Sequence, residues 1–256
     1  MEQKFFFFDI DNTLAVWPEG KIPDSAQYCI DELQRRGHLV SIATGRIQVD
    51  AMRFAEQARI TNVVADGGHS ITIDGKLVSM IGMNRDMCIQ YLEYLESKHI
   101  PWAVTDRNKL GRITPYKEIL EWHPDWDVFK TVVDPEFDFH SVEDFYKIYV
   151  FFKDGEEEEK DIEHMTHKLI RYGEGCVLYE PMEKALGVRN MIEHFHMKPN
   201  QVVVFGDGYN DLSMFRPEWL NIAMGNARAE LKLAADYITT DCDKDGIYNA
   251  CKHFGW

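Results

Sequence analysis

No run of apolar residues in this chain approaches the roughly 18–20 needed to span a bilayer. The run Phe5 to Phe8 is stopped at once by Asp9, whereas a signal-peptide core needs about 7–15 apolar residues. A soluble, cytoplasmic protein with no membrane partner is therefore expected. Cysteine is scarce too. Cys29, Cys88, Cys176, Cys242 and Cys251 are odd in number, widely spaced and without a Cys-x-x-Cys pair. That excludes a disulfide framework and a cysteine metal site, and leaves reduced core residues. Basic residues are in deficit, 28 Lys+Arg against 43 Asp+Glu, for a net charge of −15. Such a surface repels nucleic-acid phosphates and anionic lipid, so neither is an expected partner. An anionic ligand would need a locally positive site.

What the chain does have is an alternation of short apolar runs and helical periods at both ends. Its 256 residues, 45% of them hydrophobic, suffice for one large domain or two modest ones. Phe5 to Phe8 is wholly apolar, as a buried parallel strand should be. Pro23 and Asp24 open a helix with Ala26, Ile30 and Leu33 at helical spacing, and Gly37 closes it. A strand at Leu39 to Ala43, a helix around Val49–Gln57 and a strand at Val63–Ala65 complete a βαβαβ order. That order implies a parallel sheet with right-handed crossovers. Ser70–Ile73 and Leu77–Ile81 predict a hairpin around Asp74-Gly75.

From about Asn84 to Met182 the character changes. Helices are expected at Met87–Lys98, from Glu143–Phe145 onward and at Asp161–Arg171, mixed with strand-like runs such as Ile148–Phe152. The acidic run Glu156–Glu159 reads as a solvated turn and helix start. The alternation then resumes with an amphipathic helix Lys184–His196, whose apolar side is Leu186, Ile192 and Phe195. A buried strand Gln201–Phe205 and short strands at Asn221–Met224 and Asp236–Ile238 follow. The expected fold class is α/β: a doubly wound parallel sheet from residues 1–81 and 183–256, with 82–182 inserted as an α+β domain.

Three of the predicted strands end in polar clusters: Asp9-Ile10-Asp11-Asn12-Thr13, Thr44-Gly45-Arg46 and Gly206-Asp207-Gly208-Tyr209-Asn210-Asp211. In an open parallel sheet the ligand crevice lies beyond the C-terminal strand ends. Asp9, Asp11, Asp207 and Asp211 would then share a small volume, where carboxylates cannot all stay ionised unaided. A hard divalent cation removes the conflict, and Mg²⁺ characteristically takes one or two carboxylates plus waters and a substrate phosphate. Each cluster also has a plainer reading. Asp and Asn commonly end strands, Thr44-Gly45 can be a simple turn, and Lys184 an ordinary surface lysine. Against the last, a lysine at a helix N-terminus is unfavourable for the dipole unless an anion sits there. Asp9 and Asp11, two apart on an extended chain, can face one substrate from adjacent positions.

Together these motifs resemble the haloacid-dehalogenase superfamily and, within it, the Cof-like subfamily IIB sugar-phosphatase branch. The matching elements are Asp-x-Asp-x-Thr at Asp9–Thr13, Thr44 in Ala43-Thr44-Gly45-Arg46, Lys184, and Gly-Asp-x-x-x-Asp at Gly206–Asp211. Met224-Gly225-Asn226-Ala227, Ala235-Asp236-Tyr237 and Asp245-Gly246-Ile247 resemble that branch's late loops. The resemblance implies a Mg²⁺-dependent phosphatase acting on a small phosphate ester through an aspartyl-phosphate. Asp9 would be nucleophile and metal ligand, and Asp11 general acid/base with its backbone carbonyl on the metal. Asp207 would also bind Mg²⁺, Thr44, Gly45, Lys184 and Asn210 would hold the phosphoryl group, and Asp211 would support metal or lysine. The insert is expected to be a cap that chooses among leaving groups, because Trp17–Gly20 leaves no room for one earlier. Arg107–Arg112 is a candidate for reaching a sugar hydroxyl or carboxylate, with a solvated loop as its plainer reading. Two departures stand out: Asp66-Gly67-Gly68 in place of Asn-Gly-Ala adds a carboxylate near the domain junction, and Arg216-Pro217-Glu218-Trp219-Leu220 replaces an Ala-Gly helix end. A phosphomutase and a non-catalytic phosphate-ligand sensor are the rival readings, and a monomer or small homo-oligomer is expected.

Overall fold

A computed structural model describes residues 2–125, 128–153 and 169–256. Two compact units emerge: residues up to Met80 together with Met182–Trp256, and Ile81–Pro181. In chain order the strands are β1 (Phe5–Phe8), β2 (Leu39–Ala43), β3 (Asn62–Ala65), β4 (Ser70–Ile73), β5 (Lys76–Met80), β6 (Trp102–Thr105), β7 (Gly111–Thr114), β8 (Lys130–Val133), β9 (Lys147–Phe151), β10 (Leu169–Gly173), β11 (Cys176–Tyr179), β12 (Val202–Gly206), β13 (Leu220–Ala223) and β14 (Tyr237–Ile238). The helices are α1 (Asp24–Arg35), α2 (Gln48–Ala58), α3 (Arg85–Ser97), α4 (Ile119–Trp122), α5 (Lys184–His194), α6 (Ala229–Ala234) and α7 (Gly246–Phe254). Among the described residues, no helix is long and apolar enough to cross a membrane.

The first unit is an eight-stranded sheet in the order β14-β13-β12-β1-β2-β3-β4-β5. It is parallel from β14 to β3 and antiparallel over the β4–β5 hairpin. Asp74 and Gly75 both take the left-handed conformation that a two-residue Asp-Gly hairpin turn requires. β1 lies between β2 and β12, so winding runs outward from it in both directions, and Phe8 is level with Ile42 and Phe205. Its four phenylalanines are fully buried. Alternation sends Phe5 toward Phe195 at the end of α5, and Phe6 toward Trp256 at the chain terminus. A strand covered on both faces needs an unbroken apolar run, which is why the run ends where the chain meets polar surroundings at Asp9.

α1 buries Ala26, Cys29, Ile30 and Leu33, the expected stripe. α5 differs from expectation. Its buried face is Lys184, Gly187, Val188, Met191 and Ile192, while Leu186 is exposed. The face is turned because Lys184 is drawn inward by carboxylates and Gly187 must approach β3, where a Cβ would come within 2.3 Å of Val64.

The second unit is a six-stranded sheet, β10-β11-β9-β6-β7-β8, antiparallel except for β7–β8. α3 packs Cys88, Tyr91, Leu92 and Leu95 against one face with Trp102, Val104, Ile148 and Val150. Ala103, Tyr149, Phe151, Cys176 and Leu178 form the other face with Ile119 and Phe129. Glu143–Phe145 is not helical but a bend leading into β9, and Leu169–Arg171 belongs to β10. The rest of the Asp161–Arg171 helix and the run Glu156–Glu159 lie outside the described residues. Arg112 is not on a solvated loop. It is buried in β7, donates to Thr131 Oγ1 and the His123 carbonyl at 2.9 Å each, and sits over the rings of Phe129, Tyr149 and Phe151.

Candidate active site

Asp9 follows β1 directly, and its amide continues the sheet by donating to the Phe205 carbonyl at 3.1 Å. The next residues fold back into a closed turn. Leu14 N donates to Asp9 O at 3.1 Å and Ala15 N to Ile10 O at 2.8 Å, with Asn12 left-handed at φ 57°. Thr13, brought round by this turn, donates from its hydroxyl to Asp207 Oδ1 at 3.1 Å. Asp207 and Asp211 arrive on the neighbouring strand end. Asp211 Oδ2 accepts the amides of Asp207 and Gly208 at 2.9 Å each, which winds the Tyr209–Met214 3₁₀ turn against β12. Gly206 is required there, since a Cβ would lie 2.7 Å from the Asp211 carboxylate.

Lys184 is the first residue of α5 and is fully buried. Its Nζ donates to Asp9 Oδ1 and Asp211 Oδ1, both at 2.6 Å. The anion that a lysine at a helix N-terminus calls for is thus supplied by the protein. The helix start is fixed by Asp66-Gly67-Gly68. Glu183 N donates to Gly67 O at 2.7 Å, and Gly68, at φ +109°, lies where a Cβ would be 2.2 Å from Glu183 O. Gly68→Ala should therefore lower stability by at least about 2 kcal/mol in urea denaturation, with turnover falling as Lys184 shifts. The Asp66 carboxylate has a structural use, since Oδ2 accepts the Gln48 amide at the start of α2 at 3.1 Å.

Three carboxylates, Asp9, Asp207 and Asp211, present ligand atoms within 4.8 Å of one another. Burial, reinforced by the Asp211 carboxylate and opposed by Lys184, holds Asp9 well above the usual carboxylate range. Burial and Asp211 push Asp207 up to about 7. Burial works against the Lys184 charge, but Asp211 and Asp9 outweigh it and hold the ammonium above the ordinary lysine value. One ammonium among three carboxylates leaves a deficit of positive charge. The donors are all hard oxygens, the set a magnesium ion prefers.

The Asp11 carboxylate stands apart from this cluster. Arg46 holds it with both prongs of the guanidinium, Nε to Oδ2 at 2.9 Å and Nη2 to Oδ1 at 2.7 Å. Arg46 is itself fixed by Asp50 at 2.6 Å and by the faces of Phe54 and Trp17 at 4.6 and 5.8 Å. Thr44 and Gly45 follow β2, beside β1, and Thr44 Oγ1 accepts the Arg46 amide at 3.1 Å. Asn210 lies on the 3₁₀ turn with Oδ1 close over Gly208.

Arg46, Asp50 and Thr13 carry no role legible in the sequence, and neither does Asn226, which donates to the Asn12 carbonyl at 2.9 Å. The available signal was the Arg46–Asp50 spacing of four on a helix start. Arg46→Ala should lower kcat by roughly 10–100-fold with KM little changed, because Asp11 loses its fixed orientation. Steady-state kinetics reads that split.

The sequence model for haloacid dehalogenase-like hydrolases matches residues 6–251. A candidate phosphatase of Bacillus subtilis, YkrA, is 30% identical over 261 residues, covering 100% of this chain and 99% of the relative. A candidate bifunctional phosphatase/peptidyl-prolyl cis-trans isomerase of Streptococcus pyogenes is 28% identical over 98% of this chain. The chain spans about half of that protein, 54% of its length. Among solved structures, a subclass IIB sugar phosphatase of the haloacid dehalogenase superfamily superposes with a TM-score of 0.78 at 26% identity, covering 99% of both chains. The α/β fold with its parallel-sheet core is common to both.

Proposed function

The chain belongs to the haloacid dehalogenase-like hydrolase family, and on that premise we propose that it is a Mg²⁺-dependent phosphatase hydrolysing a small phosphorylated metabolite, a sugar phosphate or related ester, through an aspartyl-phosphate. The observation that carries the reading is the buried Lys184 ammonium shared by Asp9 and Asp211 at 2.6 Å, with Asp207 completing a carboxylate cluster at the strand ends.

Asp9 attacks phosphorus, and the bond to the leaving alcohol breaks as Asp11 gives that oxygen a proton. Asp11 then takes a proton from the water that attacks the phosphoryl group, and Asp9 is regenerated. Throughout, Lys184, the Thr44 hydroxyl, Gly45 and Asn210 hold the phosphoryl oxygens, whose negative charge grows in transfer. Asp9, Asp207 and the Asp11 carbonyl would hold Mg²⁺, which when bound supplies charge neutralisation for the transferring group. Arg46 keeps Asp11 in place. The inserted unit, residues 82–182, is proposed as the cap that selects the leaving group, since every group in this site addresses phosphorus.

The test is phosphate release from sugar phosphates, nucleotides and vitamin phosphates after dialysis against chelator. Turnover should be absent in chelator, restored by Mg²⁺ and inhibited by Ca²⁺, whose looser coordination shell misplaces the reacting atoms. Asp207→Ala should be inactive at any Mg²⁺ concentration that restores the wild type. Free phosphate as product separates this reading from a phosphomutase, which would return an isomeric ester. Full turnover in excess chelator would overturn the metal assignment.

A further inference from the structure

Resting on the metal reading above, we propose that Asn226 is a positioning residue for Mg²⁺: it holds the Asp11–Asn12 turn from outside and keeps the Asp11 carbonyl aimed and available as a ligand. The neighbouring carbonyls of the turn are all taken. Asp9 O accepts Leu14 N at 3.1 Å, and Ile10 O accepts Ala15 N at 2.8 Å. Asn12 O accepts Asn226 Nδ2 at 2.9 Å, and Thr13 O accepts Cys242 Sγ at 3.2 Å. Among the described residues nothing donates to the Asp11 carbonyl. Its direction is set by the peptide it belongs to. Asn12 N donates to Ala15 O at 2.8 Å, and in a planar trans peptide the carbonyl points opposite to the N–H.

Asn12 is left-handed at φ 57°, a conformation that a residue with a side chain keeps only where its surroundings hold it. Its own side chain helps, Oδ1 accepting Trp17 N at 3.2 Å. Its carbonyl is held by Asn226, which lies 214 residues further along the chain in the loop after β13. Both ends of the Asn226 carboxamide are used. Oδ1 accepts Cys242 N at 2.7 Å while Nδ2 faces Asn12, so turning the amide over would set donor against donor. The same loop reaches the other side of the carboxylate cluster. Met224 N donates to Gly206 O and Arg228 N to Asp207 O, both at 3.0 Å. One short loop thus ties the backbone beside Asp11 to the backbone of Asp207.

Asn226 is exposed, so its side chain contributes little to the core. Truncating it frees the Asn12 carbonyl, lets the turn leave its left-handed state and swings the Asp11 carbonyl off its aim. Groups that orient metal ligands typically change metal affinity about 10–100-fold when they are removed. Asn221 on β13 is the structural counterpart. It is buried, and its side chain accepts from Arg216 N at 3.1 Å and donates to Arg216 O at 2.9 Å and Asp236 Oδ2 at 3.1 Å. None of these partners belongs to the carboxylate cluster.

The test is Mn²⁺ binding to the full chain without substrate, read from the electron paramagnetic resonance signal of the free ion. Asn226→Ala should bind Mn²⁺ at least about tenfold more weakly than the wild type, and the Mg²⁺ concentration for half-maximal turnover should rise by the same factor. Its urea midpoint in chelator should fall less than that of Asn221→Ala, which should keep the wild-type Mn²⁺ affinity. Unchanged Mn²⁺ affinity in Asn226→Ala would overturn the proposal alone. So would an equal loss in Asn221→Ala, since the effect would then follow from lowered stability. No Mn²⁺ binding by the wild type, or wild-type affinity in Asp207→Ala, would overturn the metal reading and this inference with it.

Discussion

Replacing Asp9 by Asn should abolish turnover, by roughly 10⁴-fold or more, while the protein remains folded. The amide keeps the shape of the carboxylate at the end of β1 but removes the anionic oxygen that would attack phosphorus. It can still accept from Lys184, which Asp211 also holds at 2.6 Å, so the buried ammonium keeps a carboxylate partner. Substrate binding should survive, because the groups that would grip the phosphoryl oxygens are elsewhere. Phosphate release and a circular-dichroism melt on the same preparation check both halves of the expectation.

Lys184→Met should cost both stability and activity. The side chain is buried, with Asp9 and Asp211 as its partners at 2.6 Å. Methionine fills much of the same volume but leaves these buried carboxylates without their ammonium. Breaking a buried ion pair from one side costs about 3–5 kcal/mol, and urea denaturation in chelator should show a loss of that order. Turnover should fall by roughly 10³-fold or more, since the positive charge facing the transferring phosphoryl group is removed. Lys184→Arg should not restore activity, because the guanidinium is a planar fork and cannot replace a compact ammonium shared between two carboxylates.

The parallel core was legible because its strands are buried on both faces and so are continuously apolar: Phe5–Phe8, Leu39–Ala43 and Val202–Gly206 announce themselves. The first and last of these strands end in Asp9 and Asp207, with Asp211 on the turn that follows, so these carboxylates are legible at the strand ends, and Lys184 at a helix start. What the sequence hid was polar burial. Hydropathy counts Lys184 and Gly187 against the inner face of α5 and favours Leu186, which is exposed. Arg112 is buried through aromatic faces instead of a carboxylate, a contact assembled from β7, β9 and the segment before β8. Arg46 was visible at the end of β2, but its grip on Asp11 depends on β1 and β2 being neighbours, which no local spacing encodes. At Glu143–Phe145 the charges and aromatics fit a helical turn as well as the bend that leads into β9, so sequence alone does not separate the two.

The central claim is a covalent phosphoryl group on Asp9, and acid quenching of a single turnover tests it most directly. With Mg²⁺ and a ³²P-labelled aryl phosphate, whose leaving group departs without a proton from Asp11, the Asp11→Asn variant should accumulate label, because no base remains to activate water. Digestion should place that label on the peptide containing Asp9, at close to one phosphate per chain, and Asp9→Asn should show none. Phosphate released in a full turnover by the wild type, with no label on Asp9 in either protein at any quench time, would contradict the account.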